Sequence, residues 1–283
     1  MRMNRMNRMN RRQLRMVRIV PFLFLIFIIS GTIVAFGDNF SGKEEKMAPI
    51  AAAQPEKPRQ EEPVVNKPAV IQPSPKKIFY DGPSEGKKVA LTFDDGPDSI
   101  ATPKILDILK KNNIKATFFI IGTQAKAHPD MVRRIEKEGH AIGNHSWSHP
   151  HFDKIPTEEA LKQIDDAQEE LKSIVGYYPS IVRPPYGALS KEEEKAIHGK
   201  GMDIIDWSVD TTDWSGAPTD EIMTLIHKEL YPGGIILQHC SGGKDHLSNT
   251  IEALKQLIPD LTNQGYTFVT VPELLNLPDK LPD

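Results

Sequence analysis

Five short stretches of this chain concentrate side chains that can hold a cation or move a proton. Asp94-Asp95-Gly96-Pro97 sets two adjacent carboxylates ahead of a turn. Neighbouring side chains on an extended chain point in different directions, so two roles are open to the pair. Alone, the pair reads equally well as an Asx turn or a helix cap. The segment from Asn144 to His151 changes that balance, because His145 and His149 are four residues apart, with His151 and Trp147 close by. If the segment coils, His145 and His149 converge on one ion, and two imidazoles with one carboxylate make a catalytic zinc set, leaving His151 spare. Arg183-Pro184-Pro185-Tyr186-Gly187 carries a cation onto a stiff turn whose backbone N–H groups can face a ligand. Further carboxylates occur between Asp206 and Trp214, Asp210 and Asp213 among them, and Leu237-Gln238-His239-Cys240 supplies another imidazole.

These groups need a scaffold that delivers them to one rim. Apolar, β-rich runs at 88–93, 116–121, 141–144, 181–183, 203–207, 234–238 and 267–270 predict strands. Amphipathic stretches at 102–111, 129–138, 157–174, 191–198, 219–230 and 247–262 predict the helices between them. In 157–174 the stripe is explicit: Leu161, Ile164, Ala167, Leu171 and Ile174 recur every three or four residues. Strand and helix in alternation indicate a mainly parallel sheet covered by helices, an α/β fold. About seven parallel strands suit a distorted, incomplete (β/α) barrel. Functional groups in parallel barrels collect where strands end, and every cluster above follows a predicted strand.

The domain occupies 78–283, and what precedes it differs in kind. Residues 1–18 hold seven arginines and no acidic residue, and read as a basic cytoplasmic tail. Residues 19–37 read as a membrane anchor or signal peptide. The apolar run, 18 residues from Ile19 to Phe36, stands between the lengths of signal cores and spanning helices. Ala35-Phe36-Gly37 is a poor cleavage site, so retention is favoured. Residues 38–77 contain seven prolines and read as an extended tether with a reach on the order of 100 Å. The domain is thereby expected outside the cell, at the membrane face or in the wall, or secreted if the segment is cleaved.

Composition removes several classes of function. With 39% hydrophobic and 26% charged residues, neither wholesale disorder nor a multi-span membrane protein fits. The single cysteine, Cys240, excludes an internal disulfide framework and every four-cysteine metal site, so a metal must be held by His, Asp or Glu. Beyond residue 18 there are 28 basic against 38 acidic residues, which argues against nucleic acid as a partner. The catalytic domain is read as a monomer.

Five motifs occur together: TFDDGP at 92–97, HSWSH at 145–149, RPPYG at 183–187, DTTDW at 210–214 and LQH at 237–239. On these, residues 88–274 resemble a NodB-type polysaccharide deacetylase, carbohydrate esterase family 4. The resemblance implies that Asp95, His145 and His149 hold one divalent metal, zinc foremost, with cobalt or nickel accepted by the same ligands. It implies that Asp94 is the general base, that Arg183 pairs with it, and that the backbone N–H of Tyr186 stabilises an oxyanion. His239 matches the general acid, and Asp213 holds that imidazole charged. Trp214 and Leu237 match residues lining a pocket for the acetyl methyl, although either also reads as ordinary core.

Many relatives follow the last histidine with Asp where this chain has Cys240. A small buried residue is the better reading of Cys240 than a nucleophile. The expected substrate is N-acetylglucosamine in an extracellular glycan, most of all peptidoglycan. A chitin-like oligosaccharide or acetylated xylan uses the same chemistry, and a wall-glycan-binding protein without catalysis is the alternative of a different class.

Overall fold

A computed structural model describes residues 77–242 and 246–282. The expected basic tail, apolar segment and tether lie outside the described residues, except for Lys77. In chain order the elements are β1 (Ile78–Phe79), β2 (Lys88–Asp94), α1 (Ala101–Lys111), β3 (Thr117–Ile120), α2 (Gly122–Ala127), α3 (Pro129–Lys137) and β4 (Ala141–Asn144). They continue with α4 (Thr157–Val175), β5 (Ile181–Val182), α5 (Lys191–Gly199), β6 (Asp203–Ile205), β7 (Val209–Asp210), α6 (Thr219–Glu229), β8 (Ile235–His239), α7 (His246–Asn263), β9 (Thr267–Phe268) and α8 (Val271–Leu275).

The strands form one sheet in the order β1-β6-β5-β4-β3-β2-β8-β7, with β9 added to the start of β2. Every strand pair is parallel. β1 and β7 remain the two edges, which makes the barrel incomplete, and one antiparallel bridge, Asp81 with Gly234, ties the chain after β1 to the entry of β8. Nine strands stand where about seven were expected. The additional ones, β1 and β7, are two residues each, too short for an alternating pattern to register. The short helices α2 and α8 escaped the periodicity for the same reason.

β2 lies at the centre, between β3 and β8, and is buried along its length after Lys88. Its side chains sort with period two. Val89, Leu91 and Phe93 pack into the larger apolar cluster, with Ile105, Leu106 and Leu109 of α1 and Leu254, Leu257 and Leu261 of α7. Ala90 faces the other way, into a smaller cluster with Phe119, Ile205, Ile235 and Val271. Thr92 and Asp94 share the face of Ala90, so the strand that seals the core also delivers a carboxylate to the barrel interior.

α4 packs its stripe as expected through Ile164, Ala167 and Leu171, all fully buried, while Leu161 and Ile174 lie at the margins and are partly covered. Gln168 on the same helix is buried too, because it accepts from Asn144 Nδ2 at 3.2 Å and donates to the carbonyl of Pro179 at 2.9 Å.

Candidate metal centre and active site

The histidine segment begins where β4 ends, and Asn144 fixes its start. Asn144 Nδ2 donates to the carbonyl of Ile164 at 2.9 Å, and its Oδ1 accepts from Ser146 N at 2.8 Å. The first turn of α2 holds the segment from the other side: Gly122 N and Thr123 N each donate at 2.9 Å, to the carbonyls of Ser146 and Trp147. A β-carbon at Gly122 would fall 2.4 Å from the Trp147 ring, so only glycine permits this approach. His145 and His149 converge through left-handed turns at Ser146 (φ 65) and His149 itself (φ 63), and not through a helical coil.

Left-handed conformations of non-glycine residues gather at this rim, with Asp95 (φ 71), Tyr186 (φ 62) and Thr212 (φ 53) beside those two. Such conformations cost of order 1–3 kcal/mol each and persist only where the surroundings over-determine them. Here they turn side chains inward at the strand ends.

Asp95 Oδ1 lies 3.4 Å from His145 Nε2 and 3.4 Å from His149 Nε2. The three ligand atoms all fall within 4.8 Å of one another. Donor atoms about 2.0–2.1 Å from a single tetrahedral ion stand about 3.4 Å apart, so the set is spaced to hold one. Asp95 Oδ1 is buried and has no hydrogen-bond partner, as a carboxylate oxygen reserved for a cation would be. His145 Nδ1 lies 2.7 Å from the carbonyl of Arg183, which can only accept, so that nitrogen carries the proton and Nε2 is left with its lone pair.

The electrostatics agree. Burial pushes the Asp95 carboxyl up, but the neighbouring His145, His239 and His149 outweigh it and bring it down to about 2. Burial and the nearby His145 lower His149 to about 4, so its imidazole is neutral. His145 is held above its ordinary value although burial opposes this, because Asp94 and Asp95 favour positive charge at that spot. A divalent cation meets the same negative potential.

Asp94 belongs to a second set. Arg183 emerges just past β5 with its side chain wholly buried, and its Nη1 donates to Asp94 Oδ1 at 2.7 Å and to Thr92 Oγ1 at 2.8 Å. Its Nε donates to the carbonyl of Ile205 (3.3 Å) and its Nη2 to that of Asp206 (2.9 Å). The guanidinium also lies 4.1 Å over the Phe119 ring. Asp94 Oδ1 is thus fixed, and Oδ2 stands 3.7 Å from His145 Nε2, next to the metal ligands.

Across the cavity, His239 at the end of β8 donates from Nδ1 to Asp213 Oδ1 at 2.7 Å. Asp213 is fully buried, and its Oδ2 accepts from His239 N at 3.0 Å and from Thr250 Oγ1 at 2.9 Å. Burial pushes the His239 imidazole down, but the hydrogen bond and charge of Asp213, aided by Asp94 and Asp95, raise it to about 9. The ring is therefore charged at neutral pH, with Nδ1 committed and Nε2–H without an acceptor among the described residues.

Asp94, Asp95, His145, His149 and His239 line one cavity of about 430 Å³, together with Tyr186, Trp207, Asp210, Trp214 and Leu237. Trp214 is 58% exposed and stands as a wall, which removes the core reading for it, whereas Leu237 is buried against the floor. The backbone N–H of Tyr186 has no acceptor among the described residues, while the N–H groups of Gly187 and Ala188 close the turn on Pro184 and Pro185. Cys240 is buried and ties two strand ends together: its N–H donates to the Asp94 carbonyl at 3.0 Å, and the Cys240 carbonyl accepts from Thr102 Oγ1 at 2.8 Å. Burial pushes its thiol well above the ordinary value, as suits a packed residue.

Sequence reasoning overlooked Thr92, Thr250 and Trp207. Thr92 was within reach, two residues before Asp94 on the same strand face. Thr250 carried no signal, because α7 brings it to Asp213 from 37 residues away. A depression of about 680 Å³ between α1 and α3 contains no metal-ligand set, and its Arg133 and Arg134 are tied to Asp130, Asp107 and Glu138.

The architecture is an incomplete (β/α) barrel with an Asp-His-His set, spaced for one metal ion, at the C-terminal ends of its strands. Residues 81–205 match the family described as polysaccharide deacetylase. A peptidoglycan-N-acetylglucosamine deacetylase of Bacillus cereus is 45% identical over 195 residues, which cover 69% of this chain and 70% of that protein. The peptidoglycan-N-acetylglucosamine deacetylase PgdA of Listeria monocytogenes is 42% identical over 188 residues, 66% of this chain but 39% of the longer relative. The crystal structure of a peptidoglycan N-acetylglucosamine deacetylase superposes with a TM-score of 0.70 at 43% identity, covering 72% of this chain and 95% of that one. The chain belongs to the polysaccharide deacetylase family.

Proposed function

We propose that this protein removes N-acetyl groups from N-acetylglucosamine residues of peptidoglycan and releases acetate. One observation carries the reading: a ligand set spaced for a single ion, Asp95, His145 and His149, beside a carboxylate, Asp94, that a buried arginine holds in place. The choice of peptidoglycan rests on the three relatives named above, all named as peptidoglycan deacetylases and all more than 40% identical over about two thirds of this chain or more.

Asp95, His145 and His149 would hold the metal, zinc by the chemistry of the donors. A bound divalent cation supplies Lewis acidity, polarising an amide carbonyl and making water more acidic. The chain's own residues do the rest. Asp94 takes the proton of the attacking water at Oδ2, since Arg183 occupies Oδ1. Tyr186 donates its unengaged backbone N–H to the carbonyl oxygen as charge builds on it. His239 delivers its Nε2 proton to the departing amine as the C–N bond breaks, and Asp213 keeps that imidazole charged until then. Trp214 and Leu237 enclose the acetyl methyl and exclude water from it.

The segments before the domain complete the proposal: 1–18 as a cytoplasmic tail, 19–37 as a retained anchor, and 38–77 as a tether, with 78–283 as the catalytic domain in the wall. Their sequence patterns support this, and among the described residues no helix is long and apolar enough to cross a membrane. The test is acetate release from N-acetylglucosamine oligomers, peptidoglycan and acetylated xylan, each with and without chelator. Release from the first two that stops on metal removal supports the proposal; undiminished release from metal-free protein refutes it.

A further inference from the structure

His151, left without a task by the motif, stacks face to face on Tyr186 with ring centroids 3.6 Å apart and planes 5° from parallel. Tyr186 in turn meets His149 at 4.6 Å, and His149 meets His145 at 4.9 Å. Four rings thus run in a column from the rim to the metal ligands. The outer end is anchored: His151 precedes a short 3-10 turn, Phe152–Lys154, whose Phe152 is fully buried with Ile164, Val182 and Ile204. Tyr186 needs such an anchor. It is a bulky residue in a left-handed conformation (φ 62, ψ 10), its side chain is largely exposed, and among the described residues its ring contacts are the two imidazoles.

We infer that His151 is a positioning residue for the deacetylation reaction: its ring clamps Tyr186 in the strained turn and thereby keeps the Tyr186 N–H and ring aimed into the cavity. The inference rests on the function proposed above. His151 itself does not line the cavity, so its effect must pass through Tyr186. Loss of one oxyanion donor costs about 10²–10³ in kcat, and loosening it should cost less, on the order of tenfold.

The test compares the full chain with its His151→Ala and His151→Phe variants at saturating zinc, measuring kcat and KM for an N-acetylglucosamine tetramer together with bound zinc. The expected result is a kcat lower by about tenfold in H151A with KM and zinc content unchanged, and recovery of most of that loss in H151F, whose ring restores the stack. An H151A kcat equal to the parent's would overturn the inference. So would a change confined to KM, a loss of zinc, or an H151F variant as impaired as H151A. Acetate release by the parent separates the two levels: a parent that releases none defeats the functional proposal, while an active parent with an indifferent H151A defeats only the role of His151.

Discussion

Replacing Asp213 with Asn should move the alkaline limit of activity by more than two pH units. His239 rises from 6.5 to about 9 against a burial effect that opposes the rise. That rise corresponds to about 3 kcal/mol in favour of the imidazolium. Asn keeps the shape of Asp213 but removes the charge, and its amide offers one acceptor oxygen where three donors now converge: His239 Nδ1, His239 N and Thr250 Oγ1. With zinc bound, the cation offsets the remaining charges of Asp94 and Asp95, burial dominates, and the imidazole falls to 6.5 or below. At pH 7 the parent ring is about 99% charged and the variant ring no more than about a quarter, a loss of at least about fourfold in kcat from protonation alone. A divalent cation in the adjacent site lowers both limits together and leaves their separation. The same shift adds stability that is complete below pH 6.5 and lost as pH rises through about 9. The assay is the pH dependence of kcat for acetate release by zinc-loaded parent and D213N. Coincident alkaline limits in the two proteins would refute the assignment of Asp213 and His239 as an acid pair.

Three further outcomes are expected. Asp94→Asn should abolish turnover with zinc still bound, whereas His145→Asn should lose both, and equal zinc loss in the two variants by elemental analysis would overturn their division of roles. Arg183→Met should lower the unfolding free energy by about 3–5 kcal/mol in urea titrations, because it leaves the buried Asp94 carboxylate unpaired; a change below about 1 kcal/mol would contradict the buried pair. Cys240→Ala should keep kcat within about threefold of the parent, since the thiol packs and takes no chemical part; loss of activity in a folded, metal-loaded variant would reopen thiol catalysis.

Much of the frame was legible because the long elements carry strong periodicity. β2 and α4 were readable from alternation and from a stripe, and β4 was expected at the same four residues it occupies. The brief β1, β7, α2 and α8 were not, since two residues of a strand or five to six of a helix hold less than two periods of the pattern. At the site, residue type and spacing singled out Asp94, Asp95, His145, His149, Arg183 and His239, because each follows a strand that ends on one rim. The manner of convergence was illegible. A four-residue spacing suggested a coil, whereas left-handed turns at Ser146 and His149 bring the imidazoles together, held by α2 through Gly122. Long-range partners were hidden as well: Thr250 reaches Asp213 only once α7 packs, and the stack of His151 on Tyr186 joins loops 35 positions apart.

Stoichiometric reconstitution tests the centre most directly: zinc is titrated into chelated protein while bound metal and acetate release from N-acetylglucosamine oligomers are followed together. Both should saturate at one equivalent per chain in the parent, and both should vanish in an Asp95→Asn variant. Full acetate release before any zinc is added, or an Asp95→Asn protein that binds zinc and turns over as the parent does, would contradict it.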